Sequence, residues 1–573
     1  MSQHFDTKQS GSANDRVTFL DDEAGSLTIL ALFFFVCMVI IGGISIDIMM
    51  FENNRTRLQN LSDRAALAAA DLDQTVPAAV IVGSYFEKEG LEDYLKDVQV
   101  TQSVNQRSVR VDTEKTQKTM FLNFWHHTGV DTLTPRSSSV ATELRTDMEI
   151  SLVLDVSNSM NWASSAPGSS SKLADLKSAA TRFVDKIYNT EEPERITMNL
   201  VPYATHVNAG PAIMDELGVT AKHPYSNCLA FADADFNETL IRGGDAYEHT
   251  MHFDQWYTEE KPQLYVCPSE ADQIVRPFLH DPVEIKQHIN SLTANGNTSI
   301  EIGMKWGAAF LDPSARNLTQ RLINDGEVDS AYDERPYGWD RSNTEKFIVV
   351  LTDGVNTVQQ EINSAYATGP SGVWRWTPNP AVPVSFYSWS SPEIGVEDGD
   401  RIANERFWNR RVTLPRSVTG IAPITIPQGW SNLPLGQNLG AINPALSAAL
   451  PQSQPPVQLD YSELWNEMSV RHFATLYVRG QRGSSWSMNR FYNDVWRDVL
   501  GPTKDARLLD LCNQTRTKGA TVFTIGFEVT DHSASVMSQC ASTPNYFIRV
   551  VGDDLEDAFD AIAASITKLR LTQ

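Results

Sequence analysis

Residues 27–46, LTILALFFFVCMVIIGGISI, run for 20 positions without a charge. A helix of that length rises about 30 Å, the thickness of a bilayer's hydrocarbon core. Acidic Asp21, Asp22 and Glu23 precede it where a cleaved signal peptide would carry a basic flank, and the helical pattern continues past Asp47. The pattern predicts a retained transmembrane helix over 24–50, behind a cytoplasmic tail at 1–23. Phe51, Leu58, Leu61, Ala65, Ala68 and Leu72 then recur at helical spacing, so the helix is expected to continue over 51–75.

Two further rhythms follow. Around 97–123, Val98 and Val100, then Val109 and Val111, alternate with polar residues across a break at 105–107, which is the pattern of a hairpin. With a short helix at 85–95 this makes 76–145 a small α+β module. His126 and His127 within it lack a spaced third ligand. From 146 to 573 apolar strands alternate with amphipathic helices. The strands are 149–154, 196–203, 347–351 and 521–527; the helices are 172–188, 282–292, 300–311, 504–518 and 555–569. Uniformly apolar strands such as FIVVL predict an α/β fold with a doubly wound, mainly parallel sheet. Insertions at about 205–280 and 357–500 interrupt it. The second holds 8 of the 13 tryptophans, so it is expected to be folded. Trp374, Trp376 and Trp389 then either surround a binding site or fill the insertion's own core.

Charge narrows the partners. Lys+Arg total 47 against Asp+Glu 71, a formal net charge of −24, which repels phosphate backbones and excludes nucleic acid as a natural partner. Basic residues flanking the span (Lys8 and Arg16 before it, Arg55, Arg57 and Arg64 after) give no decisive orientation. Cys37 lies in the span. Cys228, Cys267, Cys512 and Cys540 lack zinc-site spacing and suit two disulfides, most economically Cys228–Cys267 and Cys512–Cys540, although three pairings are open. If oxidised, they place the large C-terminal part outside the cytoplasm.

The candidate chemistry sits where strands end. The stretch LVLDVSNSM puts Asp155, Ser157 and Ser159 after the first strand, Thr298 opens a helix in GNTSIEIGM, and Asp353 ends the FIVVL strand in LTDG. Asp and Ser also serve as turn and cap residues. Ligands, however, bind at the carboxyl ends of parallel strands, and five hard oxygen donors suit Mg²⁺, Mn²⁺ or Ca²⁺. No Walker motif, HExxH, G-x-S-x-G or base beside a nucleophile argues for an enzyme.

This ordered set resembles the metal-ion-dependent adhesion site of von Willebrand factor A domains over roughly 146–356 and 503–573. Asp155, Ser157 and Ser159 match its first loop, Thr298 its second and Asp353 its third; Asn158 stands where glycine is common. The N-terminal segment EAGSLTILALFFFVCMVIIGGISIDIMMFENNRTRLQNLSDRAALAAADL resembles TadG-like proteins of the Flp (Tad) pilus assembly system, as do MEISLVLDVSNSM and the pair Cys512 and Cys540. The resemblance implies a single-pass protein of the bacterial inner membrane with its A domain periplasmic or surface-exposed. It would be non-enzymatic, and its metal would clamp a carboxylate of a pilus protein, a secretion-machinery protein or a surface ligand. An A-domain protein assisting metal insertion or complex assembly is the alternative, and a hydrolase ranks below it.

Overall fold

The structure, a computed structural model, describes residues 24–571 apart from 73, 103–105, 124–128, 145, 191–192, 342, 380, 382–383, 391–406, 421, 438–443, 445–449, 451–453 and 553. The tail at 1–23 and the pair His126 and His127 lie outside the described residues. The chain divides into two compact units, Met1–Arg145 and Thr146–Gln573.

In the first unit α1 (Ala24–Ala69) is one continuous helix. It ends short of residue 75, where Arg107 donates hydrogen bonds to the carbonyls of Asp71 and Gln74 and draws the chain into an irregular turn. The next helix, α2 (Ala78–Lys88), lies earlier than the 85–95 expected. Pro77 fixes its start, and Gly90 and Leu91 close its end by donating to the carbonyls of Glu87 and Phe86, so Leu95 is free to open a strand. Strands β1 (Leu95–Gln102), β2 (Gln106–Glu114) and β3 (Arg136–Leu144) form an antiparallel sheet in that order. Leu58, Leu61, Ala65 and Ala69 of α1 pack with Val82 and Phe86 of α2 and Val109 and Val111 of β2 into one core.

The second unit is built on a six-stranded sheet. Its strands are β4 (Asp147–Asp155), β5 (Ile196–Tyr203), β6 (Arg276–Leu279), β7 (Thr344–Thr352), β8 (Thr521–Phe527) and β9 (Phe547–Val550), in the order β6-β5-β4-β7-β8-β9. Five strands run parallel and the edge strand β6 runs antiparallel to β5, so the sheet is mixed rather than wholly parallel. Helices cover both faces. Leu152 and Leu154 of β4 share a core with α3 (Lys172–Thr190), α4 (Pro282–Ser291) and α8 (Asp554–Leu571). Val153, pointing the other way, shares a second core with α5 (Ile300–Ala309), α6 (Gly501–Thr517) and α7 (Asp531–Cys540). Helix α5 lies directly on the strands because two of its residues are glycines. A Cβ on Gly303 would fall 2.6 Å from the Tyr203 ring, and one on Gly307 2.5 Å from Val153.

Both disulfides are present in the expected pairing, Cys228–Cys267 in the first insertion and Cys512–Cys540 between α6 and α7. The second insertion enters and leaves through a neck in which Gln359–Ile362 pairs antiparallel with Trp496–Val499. Beyond it lies a five-stranded antiparallel sheet that includes Pro370–Trp376 and Phe386–Ser390. Trp376 and Trp389 are buried, which settles the tryptophan alternatives for them: they fill cores. The two insertions are not separate bodies. Met251, Phe253 and Val266 of the first pack with Val373, Trp389 and Trp465 of the second.

Candidate metal centre

The three sequence-distant loops meet at the carboxyl ends of β4 and β7. Beyond β4, the backbone N–H of Ser157 donates to Asp155 Oδ1 at 2.8 Å, folding the loop back on its own carboxylate, and Asn158–Asn161 follows as a 3₁₀ turn. Asn158 needs no left-handed backbone here; among the described residues positive φ outside glycine is confined to Asp245, Phe278 and Glu528. The first loop is zipped to the second by Asn158 N–H to Gly296 O at 2.9 Å and Asn295 N–H to Val156 O at 2.8 Å. It is tied to the third by the Thr352 hydroxyl, which donates to Asp155 Oδ2 at 2.7 Å.

Four of the five expected residues touch in one chain of contacts. Ser159 donates its hydroxyl to Asp353 Oδ1 at 2.6 Å, and the Ser157 and Ser159 hydroxyls lie 3.1 Å apart. No hydrogen bond joins Thr298 to these four. It lies at the rim of the group, its hydroxyl 3.6 Å from where a Cβ on Gly354 would stand, and Thr298 and Thr357 exchange hydrogen bonds across the loops. Lys504, fully buried, holds that loop in place. Its ammonium donates to Thr298 O at 3.0 Å, Ser299 Oγ at 2.6 Å and Thr357 O at 3.0 Å.

Burial pushes the Asp155 carboxyl up to about 7, and the charge of nearby Asp353 adds to the rise. Two carboxylates gathered in a buried place repel one another unless a cation lies between them. One cation is already close. Lys172, at the start of α3, donates to Asp353 Oδ2 at 3.1 Å and pairs with Glu528 at 3.5 Å. Glu528 is in turn held by the backbone N–H of Ser165 at 2.7 Å.

Neither Lys172 nor Glu528 was selected from the sequence. Glu528 carried a usable signal, since it ends the apolar strand FTIGFE as Asp155 and Asp353 end theirs. Among the described residues no group of three His, Cys, Asp or Glu side chains is placed to hold a metal ion, so a metal here depends on the hydroxyls. The donor set of Asp155, Ser157, Ser159, Asp353 and neighbouring Thr298 is all oxygen and carries two negative charges. It fits a hard divalent cation.

Residues 25–72 match the family model of putative Flp pilus-assembly TadE/G-like proteins. The N-terminal segment is TadE/G-like. No curated protein matches the chain. Among solved structures, the chain is similar to the von Willebrand factor domain of the type V pili tip protein Mfa5 from Porphyromonas gingivalis. The identity is 14%, covering 74% of this chain and 96% of that one, with a TM-score of 0.29. It is similar to the PilB minor pilin from Streptococcus sanguinis at 10% identity, over 82% of this chain and 77% of that one, with a TM-score of 0.28. Proximal thread matrix protein 1 from the mussel byssus, solved with a zinc-occupied adhesion-site motif, matches at 8% identity over 73% and 47% of the two chains, TM-score 0.25.

The match overlaps the apolar run. Helix α1 is long and apolar enough to cross a membrane. Only 6% of its most apolar window is buried within the chain.

Proposed function

We propose that this chain is a membrane-anchored, non-enzymatic component of a Flp/Tad pilus assembly or adhesion system. It binds a partner through a divalent cation, Mg²⁺, Mn²⁺ or Ca²⁺, held by Asp155, Ser157, Ser159, Thr298 and Asp353. The observation that carries this reading is the meeting of Asp155, Ser157, Ser159 and Asp353 at the strand ends, in a chain whose residues 25–72 match a pilus-assembly family. A bound cation would supply an open coordination position for a carboxylate. The chain's own residues set up that position: the hydroxyls of Ser157 and Ser159 orient Asp353, and the β4 turn orients Asp155. Partners of the site are then pilus or secretion-machinery proteins, or a surface ligand, presenting Asp or Glu.

Residues 27–46 anchor the chain in the inner membrane, with residues 146–573 outside the cytoplasm, periplasmic or at the surface. Two supports bear on this. The apolar run and the helix segment packed in the first unit's core are one uninterrupted helix, so the span is joined rigidly to a folded part. The two disulfides suit an oxidising compartment. They weigh against the alternative, an A-domain protein working on metal insertion or complex assembly inside the cell. Cells carrying Asp353→Ala are expected to insert the protein normally yet lose pili or pilus-dependent attachment. Unchanged piliation and attachment would overturn the proposal.

A further inference from the structure

The segment after β2 runs along α1 toward the apolar run. Lys115 donates to the Asn54 side chain at 3.1 Å, and Gln117 contacts the same asparagine. Further along, the backbone N–H groups of Met120, Phe121 and Leu122 donate to the Asp47 carboxylate at 3.0, 2.8 and 2.8 Å. The Phe121 ring then lies against Gly43, where a Cβ would fall 2.5 Å from it. The contacted residues move from Asn54 to Asp47 to Gly43, toward the span. At about 1.5 Å per residue, Gly43 stands about 6 Å deeper than Asp47 and inside the uncharged run.

The two described flanks of this segment pair with each other. Gln117–Lys118 pairs antiparallel with Thr132–Leu133, Thr119 N–H donates to Asp131 O, and Val130 N–H donates to Leu122 O. At the tip of the described pairing, Met120–Leu122 and Val130, Met120 is 69% exposed and Val130 47% exposed, while Lys118 is exposed one step back. Asp47 is only 3% exposed, and three N–H donors satisfy a carboxylate that would otherwise be costly at a hydrocarbon boundary.

We propose that this tip is a second membrane contact, with Met120, Phe121 and Val130 lying in the headgroup–acyl boundary of the bilayer and Lys118 among the headgroups. The proposal rests on the reading of residues 27–46 as a membrane span. The ligand is lipid because these residues are continuous with that span: the Phe121 ring lies against Gly43 of the uncharged run. Bare apolar side chains at that level meet acyl chains rather than water. A lysine beside them suits anionic headgroups.

The test uses the full chain in nanodiscs of phosphatidylethanolamine and phosphatidylglycerol, with an environment-sensitive fluorophore on one cysteine at a time. Native Cys37 reports the span. Met120→Cys and Val130→Cys, each with Cys37→Ser, report the tip. Val140→Cys, exposed on β3, reports solvent. Lipids carrying a nitroxide high on the acyl chain are expected to quench both tip positions about twofold or more over Val140→Cys, and nitroxides at mid-chain to quench Cys37 most. Quenching at Cys37 with tip positions no different from Val140→Cys would overturn the proposal and leave the span standing. Absence of quenching at Cys37 would overturn the span, and the tip contact with it.

Discussion

Asp155 and Asp353 bring two negative charges into one buried place, and a divalent cation is the species that relieves them. Asp155→Ala or Asp353→Ala should therefore abolish Mg²⁺-dependent thermal stabilisation while leaving the apo fold intact. For the wild type at a hundredfold excess over Kd the stabilisation is about 2.7 kcal/mol by mass action. Equal shifts in the wild type and both variants, read by calorimetry, would count against the assignment. Lys172 makes a second expectation. Its ammonium neutralises Asp353 without metal and repels a divalent ion beside it. Lys172→Met should tighten Mg²⁺ binding by about tenfold while lowering stability in chelator. Unchanged affinity by titration calorimetry would place Lys172 outside the centre. At this scale the sequence singled out Asp155, Ser157, Ser159 and Asp353 as candidate donors because each follows an apolar run at a strand end, and Thr298 because it opens a helix. It did not show Lys172, whose approach to Asp353 depends on how α3 leaves the first loop and packs.

The elements most legible in the sequence were those with the longest apolar runs. The strands 196–203 and 521–527 appear as expected, and β4 and β7 only extend further at their ends. The elements missed are short or weakly patterned. Strands β6 and β9 have four residues each, and β6 contains a proline, which suits an edge but hides the strand. Helix α7, DHSASVMSQC, is mostly small and polar, and it is held by packing and by Cys540. Within the first insertion His223, His249 and His252 cluster, their rings 4.0 to 5.8 Å from His223. Burial holds all three below the ordinary value, His223 at about 4 and His252 at about 3. They are neutral in the fold, while an unfolded chain takes up protons below about pH 6.5, so stability is complete above that pH and falls as the pH drops toward 4. By pH 5 the loss is about 2 kcal/mol each for His223 and His252. Hydrogen exchange over 222–252, corrected for intrinsic rate, should show weaker protection at pH 5 than at pH 7.5; equal protection would contradict this.

On the scale of the molecule, the insertions change what a deletion can report. The sequence presents them as two interruptions some 75 residues apart (281–356), and nothing in its local pattern shows that they share a core, because that core is assembled from Met251, Phe253 and Val266 on one side and Trp389 and Trp465 on the other. Contacts between them include Tyr265 OH to Asn466 O at 2.9 Å and Ser469 N–H to Glu260 O at 3.1 Å. Removing 357–500 should therefore unfold part of 250–267 as well, making it sensitive to protease, while the sheet and the Cys512–Cys540 region persist. Undiminished resistance in 250–267 would contradict a shared core. The most direct measurement of the central claim is a crystal of the protein grown with Mn²⁺ and examined by anomalous scattering. The expected result is a single strong peak within coordination reach of Asp155, Ser157, Ser159 and Asp353, with Thr298 beside it. A map with no peak there, or with Mn²⁺ held only by other residues, would contradict the account.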